Sequence, residues 1–356
     1  MQSNVSQTQS QKRLSLLGNF PKHLLRVDCP KEFEMDYHQF DVHASSMVDL
    51  LGECLRVFRE GRKYDAVLFY QDRMFLFLFC LLGWLWPWGR PKIISVDLIC
   101  HRPLSASKRI KSFVQKQLLR KVDLFLLHSK DLSGYSRYLG IDERRSVYIH
   151  YMVKSLPSVV TLPTSDEHYI LSCGRSTRDY ATLVSAVKGL PYRVKILCPE
   201  NELSLQHGTD LGTIEAQVPP NVEIVHDDGS YESWLEAMAH SRMVVLPITR
   251  ASMYAHGAGT YLVAMALQKC VVVSENEGSH GILDDGQAIL VSVGDADALR
   301  QAIVRAWEDD AYRDKVAESG YKYAVTMGDE ENMQRRILEA ICRFLAGASP
   351  LDHMAF

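Results

Sequence analysis

The chain has 356 residues, of which 47% are hydrophobic, and a formal net charge of −3. This length and apolar content predict a globular protein of two domains, because one hydrophobic core rarely grows to such a size. The slightly acidic chain lacks the strongly basic domain that is typical of nucleic-acid binders, so no nucleic-acid partner is expected.

The eight cysteines stand singly, without a C-x-x-C pair. Isolated thiols within apolar runs are typical of buried residues in a reducing compartment, so neither a disulfide framework nor a zinc site is predicted. Residues 1–12 are rich in Gln and Ser and contain no apolar stretch, which argues against a secretory signal and predicts a disordered tail. We therefore expect a cytoplasmic protein.

Strand-like and helical patterns alternate along the chain. In the first half, apolar runs predict strands at residues 13–18, 66–70, 93–96 and 124–128, and an amphipathic period predicts a helix at residues 47–60. The alternation resumes after a Ser-, Pro- and Thr-rich stretch. The elements predicted there are residues 169–172, 182–188, 194–198, 222–225, 231–240, 243–247, 259–267, 271–274 and 288–291.

Alternation of this kind predicts parallel sheets covered by helices, and its restart predicts two Rossmann-like, doubly wound α/β domains. We place an N-terminal domain at residues 13–153, a linker at 154–166 and a C-terminal domain at 167–330. Residues 331–356 are expected to form a C-terminal helix and tail that pack back on the N-terminal domain. Since ligands of open parallel sheets bind beyond the carboxyl ends of the strands, the cleft between the domains is the expected site.

The first half contains an uncharged run at residues 74–88, which ends in Trp84, Trp86 and Trp88. The run is too short to span a bilayer, which takes about 20 residues as a helix. Residues 105–121 follow it with six Lys or Arg and no acid. Two interpretations remain open. The run and the basic helix bind an anionic membrane surface, or the run is a buried helix and the basic face is solvated.

Two turns in the second half have the pattern of an anion-binding site. Gly174 and Arg175, with Arg178 beyond them, follow the strand predicted at residues 169–172. Free N–H groups at a helix N-terminus favour phosphate oxygens, and arginines add bidentate donors suited to a diphosphate. The second turn, in residues 254–260, contributes His256, Gly257, Gly259 and Thr260.

These residues also have simpler structural interpretations. Arginines in a surface turn pair with carboxylates, and Asp179 is such a neighbour of Arg175 and Arg178. A histidine among small residues is also a common turn residue, which leaves the role of His256 open. The diphosphate interpretation is preferred, because a turn after a parallel strand rarely carries two arginines without an anion.

From residue 169 to residue 324, the ordered series of motifs resembles the nucleotide-sugar domain of GT-B glycosyltransferases. The resemblance is to the retaining "group 1" enzymes, known as family 4, and it rests on the Gly174-Arg175 turn, the strand at 244–247, the Leu-Val-Ala-Met-Ala stretch at 262–266 and the strand at 270–274. It implies the GT-B fold, a nucleotide-sugar donor as co-substrate, no cofactor, no metal and transfer with retention.

The chain departs from this family at two positions. The family usually carries two glutamates eight positions apart, the first on the donor sugar and the second on the ribose. Here these positions are Ala255 and Val263, whose side chains accept no hydrogen bond. The donor is therefore held by other groups, or a different donor is used, or the site is weakened.

The first domain resembles the family only loosely. The family's Gly-Gly loop after the first strand is absent, and the strand predicted at residues 93–96 ends in Val96-Asp97 where the family often carries a His-Asp pair. The resemblance makes Asp97 and His101 the candidates for catalysis or contact with the acceptor hydroxyl. A cap or turn role is the simpler interpretation of Asp97 and is preferred from the sequence.

Three functions are compatible with the sequence. The first is a glycosyltransferase that moves a sugar to a lipid-linked or surface-polysaccharide acceptor, in the cytoplasm and peripherally at the inner face of the membrane. The second is a GT-B protein that binds a nucleotide sugar or a partner without transfer, as Ala255 and Val263 suggest. The third, a sugar epimerase with this fold, is disfavoured because the matching motifs are those of the transferases.

Overall fold

The computed structural model describes residues 11–20, 30–42, 44–199, 205, 208–209, 211–215, 218–226, 228–250 and 253–353. Within these residues, two separate six-stranded sheets are formed, and the neighbouring strands of each are parallel. The prediction of two doubly wound α/β domains is confirmed.

The first sheet has the strand order β2-β1-β3-β4-β5-β6. Its strands are Lys12–Gly18 (β1), Phe33–Gln39 (β2), Ala66–Tyr70 (β3), Lys92–Val96 (β4), Leu124–Leu127 (β5) and Ser146–Tyr148 (β6). The helices of this half are Met47–Gly61 (α1), Arg73–Leu85 (α2), Ala106–Leu118 (α3) and Ser133–Leu139 (α4). One face of the sheet packs against these helices, with Phe58, Phe79 and Tyr135 in the core between them.

The second sheet has the order β12-β11-β10-β7-β8-β9. Its strands are Tyr169–Cys173 (β7), Arg193–Cys198 (β8), Val222–His226 (β9), Met243–Leu246 (β10), Cys270–Ser274 (β11) and Ile289–Val291 (β12). The helices described in this half are Leu156–Val159 (α5), Tyr180–Val187 (α6), Gly212–Glu215 (α7), Tyr231–Ala239 (α8), Ala258–Ala266 (α9), Ala296–Glu308 (α10), Asp310–Met327 (α11) and Glu330–Leu345 (α12). Because strand side chains alternate in direction, Ile170 and Leu171 enter separate cores on opposite faces of this sheet.

The last helix, α12, packs on the first domain. Its Met333, Ile337 and Ile341 form one buried cluster with Leu16 and Leu68 of the first sheet. The helix begins with a capping box. The Asp329 carboxylate accepts a hydrogen bond from the backbone N–H of Asn332, and the Asn332 side chain accepts one from the backbone N–H of Asp329. The chain therefore returns to its first domain after completing the second.

Sequence patterns missed two strands of the first sheet. The edge strand β2 has the sequence Phe-Glu-Met-Asp-Tyr-His-Gln and is only partly buried, so it lacks an apolar run. The other, β6, has only three residues. The first strand also begins at Lys12, inside the stretch predicted as a tail; residues 1–10 and 354–356 lie outside the described residues.

The apolar run at residues 74–88 is divided between the core and the surface. The core side of α2 includes Phe75 and Phe79, whereas Trp84, Trp86 and Trp88 are exposed. No described helix is both long and apolar enough to cross a membrane.

The seven cysteines in the described residues are buried and form no disulfide, as their scattered positions predict. Cys29 lies outside the described residues. Burial raises the pKa of Cys54 and Cys270 to about 12 and that of Cys100 to about 11. These thiols are therefore protonated at neutral pH and are packing residues.

Replacement of Ile341 by Ala should lower the free energy of unfolding by about 2–5 kcal/mol, because it leaves a cavity under α12 in the core of the first domain. Urea unfolding followed by circular dichroism measures this change. The matched control is Glu331→Ala, which removes only an exposed ion pair with Arg335 on the same helix and should cost less than about 1 kcal/mol. Equal effects of the two substitutions would contradict the packing of α12 on the first sheet.

Candidate functional site

A cavity of about 500 Å³ lies at the junction of the two domains. In the second sheet, β7 lies between β10 and β8, so the connections reverse direction beside β7, and open sheets bind ligands at such switch points. The cavity is lined by the turn after β7, the start of α8, the segment leading into α9 and residues near 151–154. Among its described lining residues are Lys154, Arg175 and Arg178, and none is a carboxylate.

Arg178 is buried, with 4% of its surface exposed, and binds only neutral acceptors among the described residues. Its Nε donates to the Cys173 carbonyl at 2.9 Å and its Nη1 to the Ser176 carbonyl at 3.0 Å. Its Nη2 donates to the Thr260 hydroxyl at 3.1 Å. A guanidinium has five N–H groups, so two of them donate to no acceptor among the described residues. Gly174 has a φ of +115°, and an added Cβ there would lie 2.2 Å from Nη2, which explains the glycine.

Arg175 is exposed, and its Nη2 donates to the Gly229 carbonyl at 3.4 Å. Neither Arg175 nor Arg178 forms an ion pair with a carboxylate in the described part of the chain. Asp179, the neighbour proposed as their partner, instead accepts hydrogen bonds from the backbone N–H and hydroxyl of Thr182 at 3.1 and 2.8 Å and caps α6. Among the described residues, both guanidinium groups are thus without a carboxylate partner.

The N-terminus of α9 points its backbone at the same cavity. Gly257 is its N-cap residue with a φ of +88°, a conformation that favours glycine. The N–H groups of Gly259 and Thr260 donate to no acceptor within the described residues, as is usual in the first turn of a helix. An added Cβ at Gly259 would lie 3.2 Å from the Tyr151 ring, so only a small residue admits this close approach.

On the first-domain side, Asp97 follows β4 and is buried, with a φ of +58°. Its Oδ2 accepts hydrogen bonds from Gln71 Nε2 at 2.6 Å and from the Tyr254 hydroxyl at 2.9 Å. Its Oδ1 accepts none from the described residues and lies 3.9 Å from His128 Nε2. Tyr254 belongs to the second domain and lines the cavity, so Asp97 contacts the cavity wall across the domain junction.

His101 is exposed and stacks on His256, with ring centroids 5.6 Å apart and planes at 11°. His256 lines the cavity and is almost fully buried. Burial, with the nearby charges of His101 and Arg178, lowers the pKa of His256 to about 3. His256 is therefore neutral at physiological pH and contributes a hydrogen-bonding group, not a charge.

Ala255 and Val263, which stand where the family usually has glutamates, both line the cavity. Both side chains are buried. The two positions at which the sequence departs from the family thus lie in the cavity wall. The wall therefore lacks the two carboxylates that the family usually has there.

Sequence analysis missed several cavity residues, among them Tyr151 and Trp234, and it gave no role to Tyr254 at the start of the predicted turn. It assigned Lys154 to the linker, although its Nζ lies 4.2 Å from the centre of the Tyr231 ring, which stacks on Trp234. Tyr151 and Trp234 come from separate segments and belong to no motif. Only the tertiary fold brings them together.

Comparison with known proteins supports the resemblance. Residues 203–309 match the sequence family "Glycosyl transferases group 1". The chain has the fold of the GT-B glycosyltransferases. The resemblance predicted from the motifs is thereby confirmed. No curated protein gives a significant match.

Three solved structures illustrate the GT-B likeness. HepE of Anabaena, in complex with UDP and glucose, is 15% identical with a TM-score of 0.63, over 92% of this chain and 91% of HepE. Sucrose-phosphate synthase of Thermosynechococcus elongatus is 14% identical with a TM-score of 0.64, over 95% and 100% of the two chains. A glycosyltransferase of Rickettsia africae is 14% identical with a TM-score of 0.62, over 88% and 86%. At these identities the likeness establishes the fold.

The lowered pKa of His256 predicts a loss of stability in acid. Below about pH 6.5 the unfolded chain protonates this histidine, whereas the folded protein does so only near pH 3. The stability contributed by neutral His256 is thus fully present above pH 6.5 and falls by at most about 1.4 kcal/mol per pH unit below it. His256→Gln should make the free energy of unfolding less dependent on pH between about 6.5 and 4.

Urea unfolding across this pH range measures the effect, and His280→Gln is the control. The hydrogen bond that His280 donates to the Glu275 carboxylate raises the pKa of His280, so its stabilisation is present in acid and is lost as the pH rises. Removing His280 should therefore steepen the loss of stability in acid, opposite to His256→Gln. The same sign for both variants would contradict the neutral, buried state of His256.

Proposed function

We propose that the protein transfers a sugar from a nucleotide-sugar donor to an acceptor. The donor diphosphate binds between Arg175, Arg178 and the N-terminus of α9. The observation that carries this proposal is Arg178, a buried guanidinium that lines the cavity without a carboxylate partner in the described residues. A buried charge without a counter-ion costs several kcal/mol, and an anionic ligand supplies the counter-ion.

The chemistry follows from this placement. Cleavage of a sugar–phosphate bond leaves negative charge on the departing diphosphate, and stabilising that charge is the main catalytic task. Two guanidinium groups and the free N–H groups of Gly259 and Thr260 converge on the cavity for this purpose. We propose that they act without a metal ion and, as the family resemblance implies, that the anomeric configuration is retained.

We assign the nucleoside to another wall of the cavity. Tyr231 and Trp234 stack with centroids 5.5 Å apart, and Lys154 lies over the Tyr231 ring. Aromatic rings of this kind offer a stacking surface for a base. HepE of Anabaena has been solved with UDP-glucose, which makes UDP-hexoses the first donors to test.

The first domain provides the acceptor side. We propose that His101 borders the acceptor and that Asp97 positions Tyr254, the cavity residue to which it is bonded. A direct contact of Asp97 with the substrate stays a prediction, because Tyr254 lines the cavity and Asp97 does not. We assign the acceptor to the lipid-linked or surface-polysaccharide class, presented at the cytoplasmic face of a membrane.

A second candidate function is binding of a nucleotide sugar without transfer. Ala255 and Val263 favour it, because they leave the cavity wall without the carboxylates that usually hold the donor sugar and ribose. The two functions share the diphosphate site and differ in product formation.

The test is nucleoside-diphosphate release from UDP-, GDP-, ADP- and dTDP-sugars, with and without a membrane lipid extract. We expect release from one donor, and Arg175→Ala should lower kcat/KM about a hundredfold, the usual cost of losing one donor to the developing charge. Arg178→Met, which keeps the volume but removes the charge, should cost at least as much. Arg193→Ala is the matched control, because Arg193 is an exposed arginine of the same domain paired with Glu223.

The outcomes separate the candidates. Release that depends on Arg175 and Arg178 supports transfer. Arginine-dependent binding of a nucleotide sugar by calorimetry, without release from any donor, supports the binding protein. Equal release or binding by the arginine variants and the control would overturn the diphosphate site itself.

A further inference from the structure

The helix α3 presents its apolar stripe to solvent. Ile110, Phe113 and Val114, at positions i, i+3 and i+4, lie on one face of the helix. Their exposed fractions are 70%, 64% and 53%. The opposite face carries Ser112, which is buried and donates from its hydroxyl to the Tyr138 carbonyl at 2.8 Å. A surface helix normally turns its apolar stripe to the core, so this one has the reverse orientation.

The tryptophan-rich end of α2 continues the stripe. The Trp84 indole donates from Nε1 to the carbonyl of Gln117 at 3.1 Å, and Gln117 lies one turn beyond Phe113 and Val114 on the same side of α3. Trp86 and Trp88 follow and are exposed, Trp88 by 83%. We name the combined patch of residues 84–88 with Ile110, Phe113 and Val114 the α2–α3 surface.

The segment that carries α3 is uniformly positive. Residues 104–121 contain no acid, although the whole chain has a net charge of −3. None of the Lys and Arg residues of this segment forms an ion pair with a carboxylate within the described residues. These residues are Lys108, Arg109, Lys111, Lys116, Arg120 and Lys121.

We propose that the α2–α3 surface binds an anionic lipid bilayer, with α3 lying in the plane of the headgroups. An amphipathic helix that is apolar on one side and flanked by cations has the composition for this position, and tryptophans favour the boundary between headgroups and acyl chains. Unpaired cations are attracted to anionic headgroups. Two copies joined face to face through this patch would bring its cations against each other, so charge favours a bilayer over a second copy of the chain.

The position of α3 also relates the bilayer to the cleft. His101, which stacks on the cavity residue His256, precedes the N-cap of α3 by four residues, and the exposed Leu104 lies between them. A bilayer on α3 therefore approaches the mouth of the cleft. This part rests on the proposed function: it assigns the acceptor to a lipid embedded in that bilayer and not to a soluble saccharide.

The test is co-sedimentation of the full chain with vesicles of phosphatidylcholine, with and without phosphatidylglycerol, in the absence of any donor. We expect binding only to the phosphatidylglycerol vesicles and its loss near 1 M salt, where the Debye length falls to about 3 Å. Ile110→Ser with Phe113→Ser should lower the partition coefficient at least tenfold, since it removes two large apolar side chains. Lys108→Glu with Lys111→Glu should lower it more than about fivefold for each charge.

Two control variants match these substitutions. Met47→Ser with Val48→Ser removes exposed apolar residues at the start of α1, and Lys188→Glu with Lys315→Glu reverses exposed lysines of the second domain. Both should bind vesicles like the native chain. All the substituted side chains are exposed, and circular dichroism confirms that the variants fold.

Three outcomes would overturn the proposal. They are the absence of binding to phosphatidylglycerol vesicles, equal loss of binding in test and control variants, and a vesicle-free dimer, detected by sedimentation, that Ile110→Ser with Phe113→Ser disperses. Donor turnover plays no part in this assay, so its result is independent of the proposed sugar transfer. Addition of the vesicles to the release assay then tests the lipid acceptor separately.

Discussion

The candidate site depends on one buried positive charge. Arg178 joins the turn after β7 to the first turn of α9, because its guanidinium binds the carbonyls of the turn and the hydroxyl of Thr260. The same guanidinium fills the space that a side chain at Gly174 would need. One arginine thus holds the turn in place, requires glycine at position 174 and sets the distance between the two segments that we propose bind the diphosphate.

The domain junction adds a second constraint. Tyr254 donates to the buried Asp97 of the first domain and belongs to the segment that leads into α9. Gln71 and Asp97 both have positive φ values at the carboxyl ends of β3 and β4, and such unfavourable conformations persist only where the surroundings hold them. Separation of the domains would break the Tyr254–Asp97 bond and release the end of α9 that we propose binds the diphosphate. The geometry of the site is therefore coupled to domain closure.

The sequence predicted the fold well because its signals are local. Apolar runs such as β3 and β11 and the glycine turn at 174 are properties of short segments, and their order carries the family resemblance. The cavity wall is a property of the tertiary fold. Tyr151, Tyr231 and Tyr254 come from three elements, and the hydrogen bond that places Asp97 behind Tyr254 joins residues 157 positions apart. The sequence did not predict that the apolar stripe of α3 faces solvent. The spacing of its apolar residues is the same as that of a helix that faces a core, and only the neighbouring elements show which way the stripe points.

The return of α12 to the first sheet has a consequence for biosynthesis. Leu16, Leu68 and Val96 lie on the sheet face that Ile337 and Ile341 cover. When the ribosome has made the first domain, this face still lacks its cover, because residues 330–345 are synthesised only after the second domain. The nascent chain therefore carries a solvent-exposed apolar face during most of translation, a state that invites chaperone binding or aggregation. Folding of the first domain is completed only after α12 has left the exit tunnel.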